Sequence, residues 1–456
     1  MAEPGGASVK AEATVRVAAD VPEATAAPPR FGYRWTICAM LFFATTINYV
    51  DRQVIGILGP TLQHDLHWTP QQFGDVLSWF QFAYGIGFLF AGRLLDRIGV
   101  KKGFVLAIVT WSLAAMSHAF ARTQLAFSLA RGALGLGESG NFPASIKAVA
   151  EWFPKKERAL ATGIFNAGSN VGAVIAPIVV PFVTLTVGPA LGLSQPWRLA
   201  FFFTSILVVI WLVLWLRIYH EPARHPRISK GELAFIHSDA AAETNEDAGS
   251  SVPLAQLLKH RQAWGFIIAK GMTDPVWWFY LFWLPTFLDM KYNVKLAGLA
   301  APLVVIYVLA DFGSIFGGWL SGALIKRGRS VNFGRKTAMI IAALLIVPTM
   351  LAPRAGTMWV AVAIVGLAAA SHQWWSANVF TCASDMFPRK AVATMVGLAS
   401  FLGAMIGMGF QRLVGYILVV THNNYGLIFV YCGLAYVTAW AILQVLAPRL
   451  KPVELG

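Results

Sequence analysis

Residues 153–162 read Phe-Pro-Lys-Lys-Glu-Arg-Ala-Leu-Ala-Thr, and residues 387–394 read Phe-Pro-Arg-Lys-Ala-Val-Ala-Thr. An aromatic-proline step, two basic residues and an Ala-Thr pair opening an apolar run thus occur twice, about half the chain apart. Each copy follows the fourth apolar run of its half. A weak repeat at matching places in two hydrophobic halves marks duplicated six-helix membrane folds.

Outward from this repeat, twelve apolar runs cover 34–59, 72–95, 101–121, 124–148, 158–186, 197–219, 262–289, 299–325, 335–353, 356–384, 391–419 and 425–447. At 1.5 Å per residue, about twenty residues span the roughly 30 Å of hydrocarbon in a bilayer. Composition agrees: 57% of the 456 residues are hydrophobic and 13% charged, about half the charged share of a soluble domain, with a mean hydropathy of +0.60. The expected fold class is an all-α membrane protein, twelve transmembrane helices in two six-helix halves.

The net charge of +14 does not point to nucleic acid, because the basic residues sit at alternate helix ends and not in one patch. Arg93, Arg97, Lys101, Lys102, Lys155, Lys156, Arg158, Lys259, Arg261, Lys326, Arg327, Arg335, Lys336, Arg389 and Lys390 fall on one side; the other has little beyond Arg122, Lys291, Lys295 and Arg354. The positive-inside rule then places both termini and the central loop in the cytoplasm. The expected organisation is a disordered tail over 1–30, a first half over 31–220, a linker over 221–261, a second half over 262–448 and a tail over 449–456. Within the linker, Ser229 and Glu232 have capping-box spacing ahead of a short amphipathic helix.

Several patterns are set aside. Gly135 to Gly140 matches a dinucleotide fingerprint but lies in a membrane span with no preceding strand, so helix packing explains its glycines better. Cys38, Cys382 and Cys432 lie in separate spans and read as small core residues. With no metal-ligand or nucleophile constellation at recognisable spacing, no enzymatic activity, metal or cofactor is expected.

Ionisable groups in the hydrocarbon region are costly, roughly 2.5–3.5 kcal/mol each on insertion scales, and mark function by default. Asp51 and Arg52 lie deep in the first span, where they form a self-neutralising pair or, since adjacent helical residues point apart, take separate partners. Arg131 and Glu138 are two turns apart on one face of the fourth span, too far for direct contact. Arg131 would reach another helix, and Glu138 would load and release a proton as a cavity changes sides. Lys270 and Asp274, one turn apart on the seventh span, can pair with each other or take a substrate carboxylate. Asp311 lies in the middle of the eighth span, and His372, Gln373, Trp374 and Trp375 on the tenth offer donors and flat faces for a polyhydroxylated ligand, or packed aromatics. Arg412 belongs to the site or to a helix contact. Asn166, Ser169 and Asn170 line a cavity or bridge helices.

The run Gly92-Arg93-Leu94-Leu95-Asp96-Arg97-Ile98-Gly99-Val100-Lys101-Lys102 resembles the cytoplasmic signature of the major facilitator superfamily. By that resemblance Asp96, Arg97 and Arg93 gate the transition between states. Asn48-Tyr49-Val50-Asp51-Arg52, Arg131 through Glu138 with Phe142-Pro143-Ala144, and Glu151 through Arg158 are similar to the anion:cation symporter branch. Phe165 through Asn170, Ala310-Asp311-Phe312-Gly313, Ser371-His372-Gln373 and Ser384-Asp385-Met386-Phe387 look most like its hexuronate group.

The resemblance implies proton-coupled symport of an anionic sugar acid such as glucuronate or galacturonate across a bacterial-type inner membrane, by a monomer in the lipid bilayer with protons as the coupling ion. Asp51, Glu138 and Arg131 would couple protons. Arg52, Tyr49, Tyr84, Asn166, Ser169, Lys270, Asp274, Asp311, His372, Gln373 and Trp375 would hold substrate. One departure is that Asp51-Arg52 follows a galactonate-like pattern, which keeps galactonate, glucarate or another carboxylate open. Export by antiport remains a further alternative.

Overall fold

The computed structural model describes residues 32–238 and 253–453. The tail expected at 1–30 and the flexible stretch expected around Glu243 to Ser251 lie outside the described residues. Every regular element among the described residues is helical. The first half consists of α1 (Tyr33–Ile57), α2 (Gly59–Asp65), α3 (Pro70–Ser117), α4 (Gln124–Glu138), α5 (Asn141–Trp152), α6 (Lys155–Phe182) and α7 (Arg198–Ile218). A short α8 (Lys230–Ile236) follows. The second half holds α9 (Arg261–Phe282), α10 (Leu284–Tyr292), α11 (Ala300–Lys326), α12 (Val331–Ile346), α13 (Met358–Met386), α14 (Arg389–Val420) and α15 (Gly426–Leu446).

Thr69 starts α3 with a complete capping box: its hydroxyl accepts from the Gln72 N–H, and the Gln72 side chain accepts from the Thr69 N–H. The second and third expected spans are joined in this one element, which turns at Gly99, where φ is 78°. That left-handed backbone suits glycine, which has no Cβ to clash.

Seven helical stretches among the described residues are long and apolar enough to cross a membrane by length and composition, and α3, one of the seven, supplies two spans. The four spans that fall short of this measure are α1, α4 with α5, α9 with α10, and α13. They carry Asp51 and Arg52, Arg131 and Glu138, Lys270 and Asp274, and His372 and Gln373 in that order. Polar side chains at membrane depth are tolerated where they face protein or a water-filled cavity, so the hydropathy deficit picks out the interior helices.

Close packing uses glycine. Gly168 and Gly172 of α6 lie directly against the backbone carbonyls of Phe42 and Thr46 on α1, and Gly135 of α4 lies against the Phe80 carbonyl on α3. A side chain at any of these would meet backbone, which accounts for Gly135. The buried apolar residues form two clusters. One joins the second half to the α1, α2 and α3 residues around Ile57 and Phe73. The buried members of the other, around Cys38, Phe104 and Trp152, belong to the first half and α8.

Helix α8 begins at Ser229, whose hydroxyl accepts from the Glu232 N–H. The reciprocal half of the expected capping box is not made. The Glu232 carboxylate instead accepts from the backbone N–H groups of Tyr33 and Arg34, each at 3.0 Å, and from the Arg34 guanidinium at 3.3 Å. Those first N–H groups of α1 have no partner within their own helix, and a carboxylate there also meets the positive end of the helix dipole. Arg34 continues to Glu157 of α6 at 2.8 Å. Gly32 sits so close to Glu232 that a Cβ would collide with the carboxylate. We predict that Glu232→Ala lowers stability by about 2–3 kcal/mol, the scale of lost charge-assisted hydrogen bonds at a buried site, read as a lower unfolding midpoint in detergent. An unchanged midpoint would show that this strut holds nothing.

Candidate functional site

Arg52 occupies the centre of the polar interior. It is buried, and its Nη2 and Nε lie 2.7 and 2.8 Å from Oε2 of Glu138 on α4, with Asn48 Oδ1 at 3.2 Å. Four rings surround its guanidinium: Tyr49 at 4.7 Å, Tyr84 at 4.8 Å, and Phe80 and Trp278 each at 5.3 Å. Such faces attract a cation through their quadrupoles. Trp278 belongs to α9, so the second half contributes directly to the Arg52 cage.

Asp51 points elsewhere, as expected for adjacent helical residues. It interacts electrostatically with Arg131 and Glu138 and lies beside Thr204 of α7. Arg131 is fully buried, with its guanidinium 5.8 Å from the Phe80 ring centre. Among the described residues, neither Asp51 oxygen and no Arg131 nitrogen has a hydrogen-bond partner. Arg131 and Glu138 act on each other through space, while Glu138 bonds Arg52. Two carboxyl groups and two guanidinium groups therefore share one buried region with a single direct ion pair.

In the second half, Lys270 Nζ lies 2.7 Å from Asp274 Oδ2 and 4.6 Å from the centre of the Phe380 ring. Asp274 is pressed against Gly403 of α14. His372 is brought near Lys270 but turned into the packing of its own half: its Nδ1 shares a hydrogen bond with the Tyr436 hydroxyl, and its ring stacks on Trp277 at 4.9 Å. Trp375 is fully buried edge-on to Tyr436. It is a core tryptophan and not an open face for a ligand. Ser169 is likewise buried and donates to the Asn166 carbonyl of its own helix. Gln373 and Asp311 are half-buried and Asn166 is exposed; none of these three side chains is hydrogen-bonded among the described residues.

Asp96 bonds Lys147 at 2.8 Å within the first half, while Arg93 and Arg97 are exposed with no ion pair to a described residue. Contact between the halves is concentrated at the other end. There Gly56 packs on the Leu281 carbonyl, Gly74 on that of Gln411, and Gly415 on that of Pro70. Arg412 reaches Asp75 and Ser78, each at 3.2 Å, and Gln63 reaches Thr286 at 3.4 Å. Arg412 is thus a bridge between halves. Trp278, Asp75 and Gln411 are not singled out by the sequence, because their meaning comes from the partner half.

The Major Facilitator Superfamily pattern matches residues 41–411. A hexuronate transporter of Escherichia coli K12 is 30% identical over 386 residues, covering 84% of this chain and 87% of that protein. A probable galactarate/D-glucarate transporter, GudP of Bacillus subtilis, is 31% identical over 90% of this chain and 91% of its own length. Among solved structures, the inward open conformation of the xylose transporter XylE from E. coli superposes with a TM-score of 0.72 at 14% identity, covering 91% of this chain and 97% of that one. This last likeness concerns the fold alone.

If Arg412 fastens the two halves, removing it loosens the Pro70 end. In an Arg412→Ala background, a cysteine placed at Thr286, which is buried there, should react with a water-soluble maleimide several-fold faster than in the wild-type background. Equal rates would assign Arg412 to surface pairing.

Proposed function

Because the chain belongs to the Major Facilitator Superfamily, we propose that it carries an anionic sugar acid, a hexuronate such as glucuronate or galacturonate, into the cell together with protons. The observation that supports this most is the buried Arg52–Glu138 ion pair, roofed by Trp278 from the opposite half. A guanidinium offers a carboxylate two parallel hydrogen bonds. A substrate carboxylate and Glu138 are thus rivals for the same donor.

An anion entering a negative cytoplasm costs about 2.3 kcal/mol per charge per 100 mV, which proton coupling offsets. In the outward-facing state, protonation of Glu138 and Asp51 releases Arg52 to the substrate carboxylate. Lys270, held by Asp274, meets the far side of the ligand, and Gln373 and Asn166 orient hydroxyl groups. The halves then rock, and deprotonation toward the cytoplasm restores the Arg52–Glu138 pair and expels the substrate. Arg131, close to both carboxyl groups without bonding either, couples their charge states.

The end bearing Arg93, Arg97, Lys101 and Lys102 belongs in the cytoplasm by the positive-inside rule. On that orientation the seal at Gly56, Gly74 and Arg412 closes the outer side, and we read the state with the Arg52–Glu138 pair made as the inward-facing one. The likeness to GudP, together with Asp51 beside Arg52, favours galactonate or glucarate as the second candidates for substrate.

Proteoliposomes test this reading. An inward proton gradient should drive accumulation of labelled glucuronate or galacturonate, and Glu138→Gln should abolish accumulation. Arg52→Lys should lose uptake at least about tenfold, since an ammonium lacks the bidentate fork. Uptake that ignores the gradient, or survives Glu138→Gln unchanged, would overturn symport; no uptake of either sugar would shift the substrate to galactonate or glucarate. Fusions of a periplasm-dependent reporter after Gly192 should be active and after Ser238 inactive, and the reverse would invert the orientation.

A further inference from the structure

A cavity of about 770 Å³ lies at the sealed end of the first half, away from the Arg52 site, where the end of α3 meets the start of α7. Arg122 and Arg198 both line it, with Phe120, Leu193, Gln195 and Phe202, and no acidic residue does. The two guanidinium groups repel each other. Arg198 is held by the carbonyls of Ala119 and Ala121 and by Gln195, which fixes its charge in the wall. Arg122 is exposed and makes no ion pair with a described residue. Two like charges in one concavity are stabilised by a shared anion, and the free fork of Arg122 with the remaining Nη2 of Arg198 suits phosphate oxygens.

The rim identifies the kind of anion. Phe120 is 70% exposed and packs edge-on to Phe202 at 5.2 Å, with Leu125 and Leu191 also largely exposed nearby in the chain. Aromatic and leucine side chains beside a basic cavity at a span end match a molecule with a charged head and apolar tails. A free carboxylate or phosphate would gain nothing from that rim. We propose that this cavity binds the phosphate headgroup of an anionic phospholipid in the leaflet at the sealed end, with Arg122 and Arg198 on the phosphate and an acyl chain along Phe120 and Phe202.

The test is native mass spectrometry of the full chain, purified with equal phosphatidylglycerol and phosphatidylcholine, beside Arg122→Gln, whose exposed side chain lies outside the packed core. The expected result is one phosphatidylglycerol retained in preference to phosphatidylcholine, with retention falling about tenfold in the variant, as for a lost charge-assisted contact. A third arm adds millimolar inorganic phosphate, which should leave the bound lipid in place. Equal retention of the two lipids, an unchanged phosphatidylglycerol adduct in Arg122→Gln, or displacement of the lipid by free phosphate would each overturn the proposal, the last by making the cavity a site for soluble anions.

Discussion

The interior of this protein is organised by the cost of charge in a low-dielectric medium. A buried guanidinium without a counter-charge is far more expensive than a buried pair, and Arg52 is satisfied by Glu138 across two helices and by four aromatic faces. Any other anion presented to Arg52 must offset the loss of that pair. A neutral Glu138 no longer demands it. In the proposed cycle this exchange of partners links proton movement to substrate movement without a moving part beyond the two halves.

The halves are joined unevenly, and the unevenness follows from backbone proximity. Where Gly56, Gly74 and Gly415 allow backbones to touch, the apolar core runs through both halves. The second cluster, which includes Leu95 and Val100 beside Gly99, has its buried members only in the first half and α8. Glu232 ties that helix to the start of α1, and Arg34 carries the connection on to α6. The helix bearing Asp51 and Arg52 is thus anchored at one end by ionic contacts within its half and at the other by packing against the opposite half. In the proposed cycle, rocking about the Arg52 region leaves the first anchor intact and opens the second.

Much of this was legible in the sequence because bilayer physics is severe. Twelve apolar runs, the duplicated Phe-Pro-basic-basic step and the divergence of Asp51 from Arg52 all follow from span length, repetition and helical geometry. What was not legible is which face of each helix looks inward. His372, Trp375 and Ser169 lie on the spans expected to line the site, yet packing turns them into the protein, toward Tyr436 and a backbone carbonyl. Trp278 was passed over because one more tryptophan in an aromatic span, Trp277-Trp278-Phe279-Tyr280, carries no signal until Arg52 is seen beneath it. Glu232 reads as half of a capping box, and only the neighbouring helix start shows why its carboxylate leaves its own helix.

The central claim is that substrate and Glu138 compete for Arg52, so binding must be linked to protonation. Calorimetry of glucuronate binding in two buffers of different ionisation enthalpy measures the protons taken up on binding. The account predicts net proton uptake in the wild-type protein and a smaller uptake, left to Asp51 alone, in Glu138→Gln with binding retained, because the neutral side chain already leaves Arg52 free. Glucuronate binding with no proton uptake in the wild-type protein, or the same uptake in the variant, would contradict it.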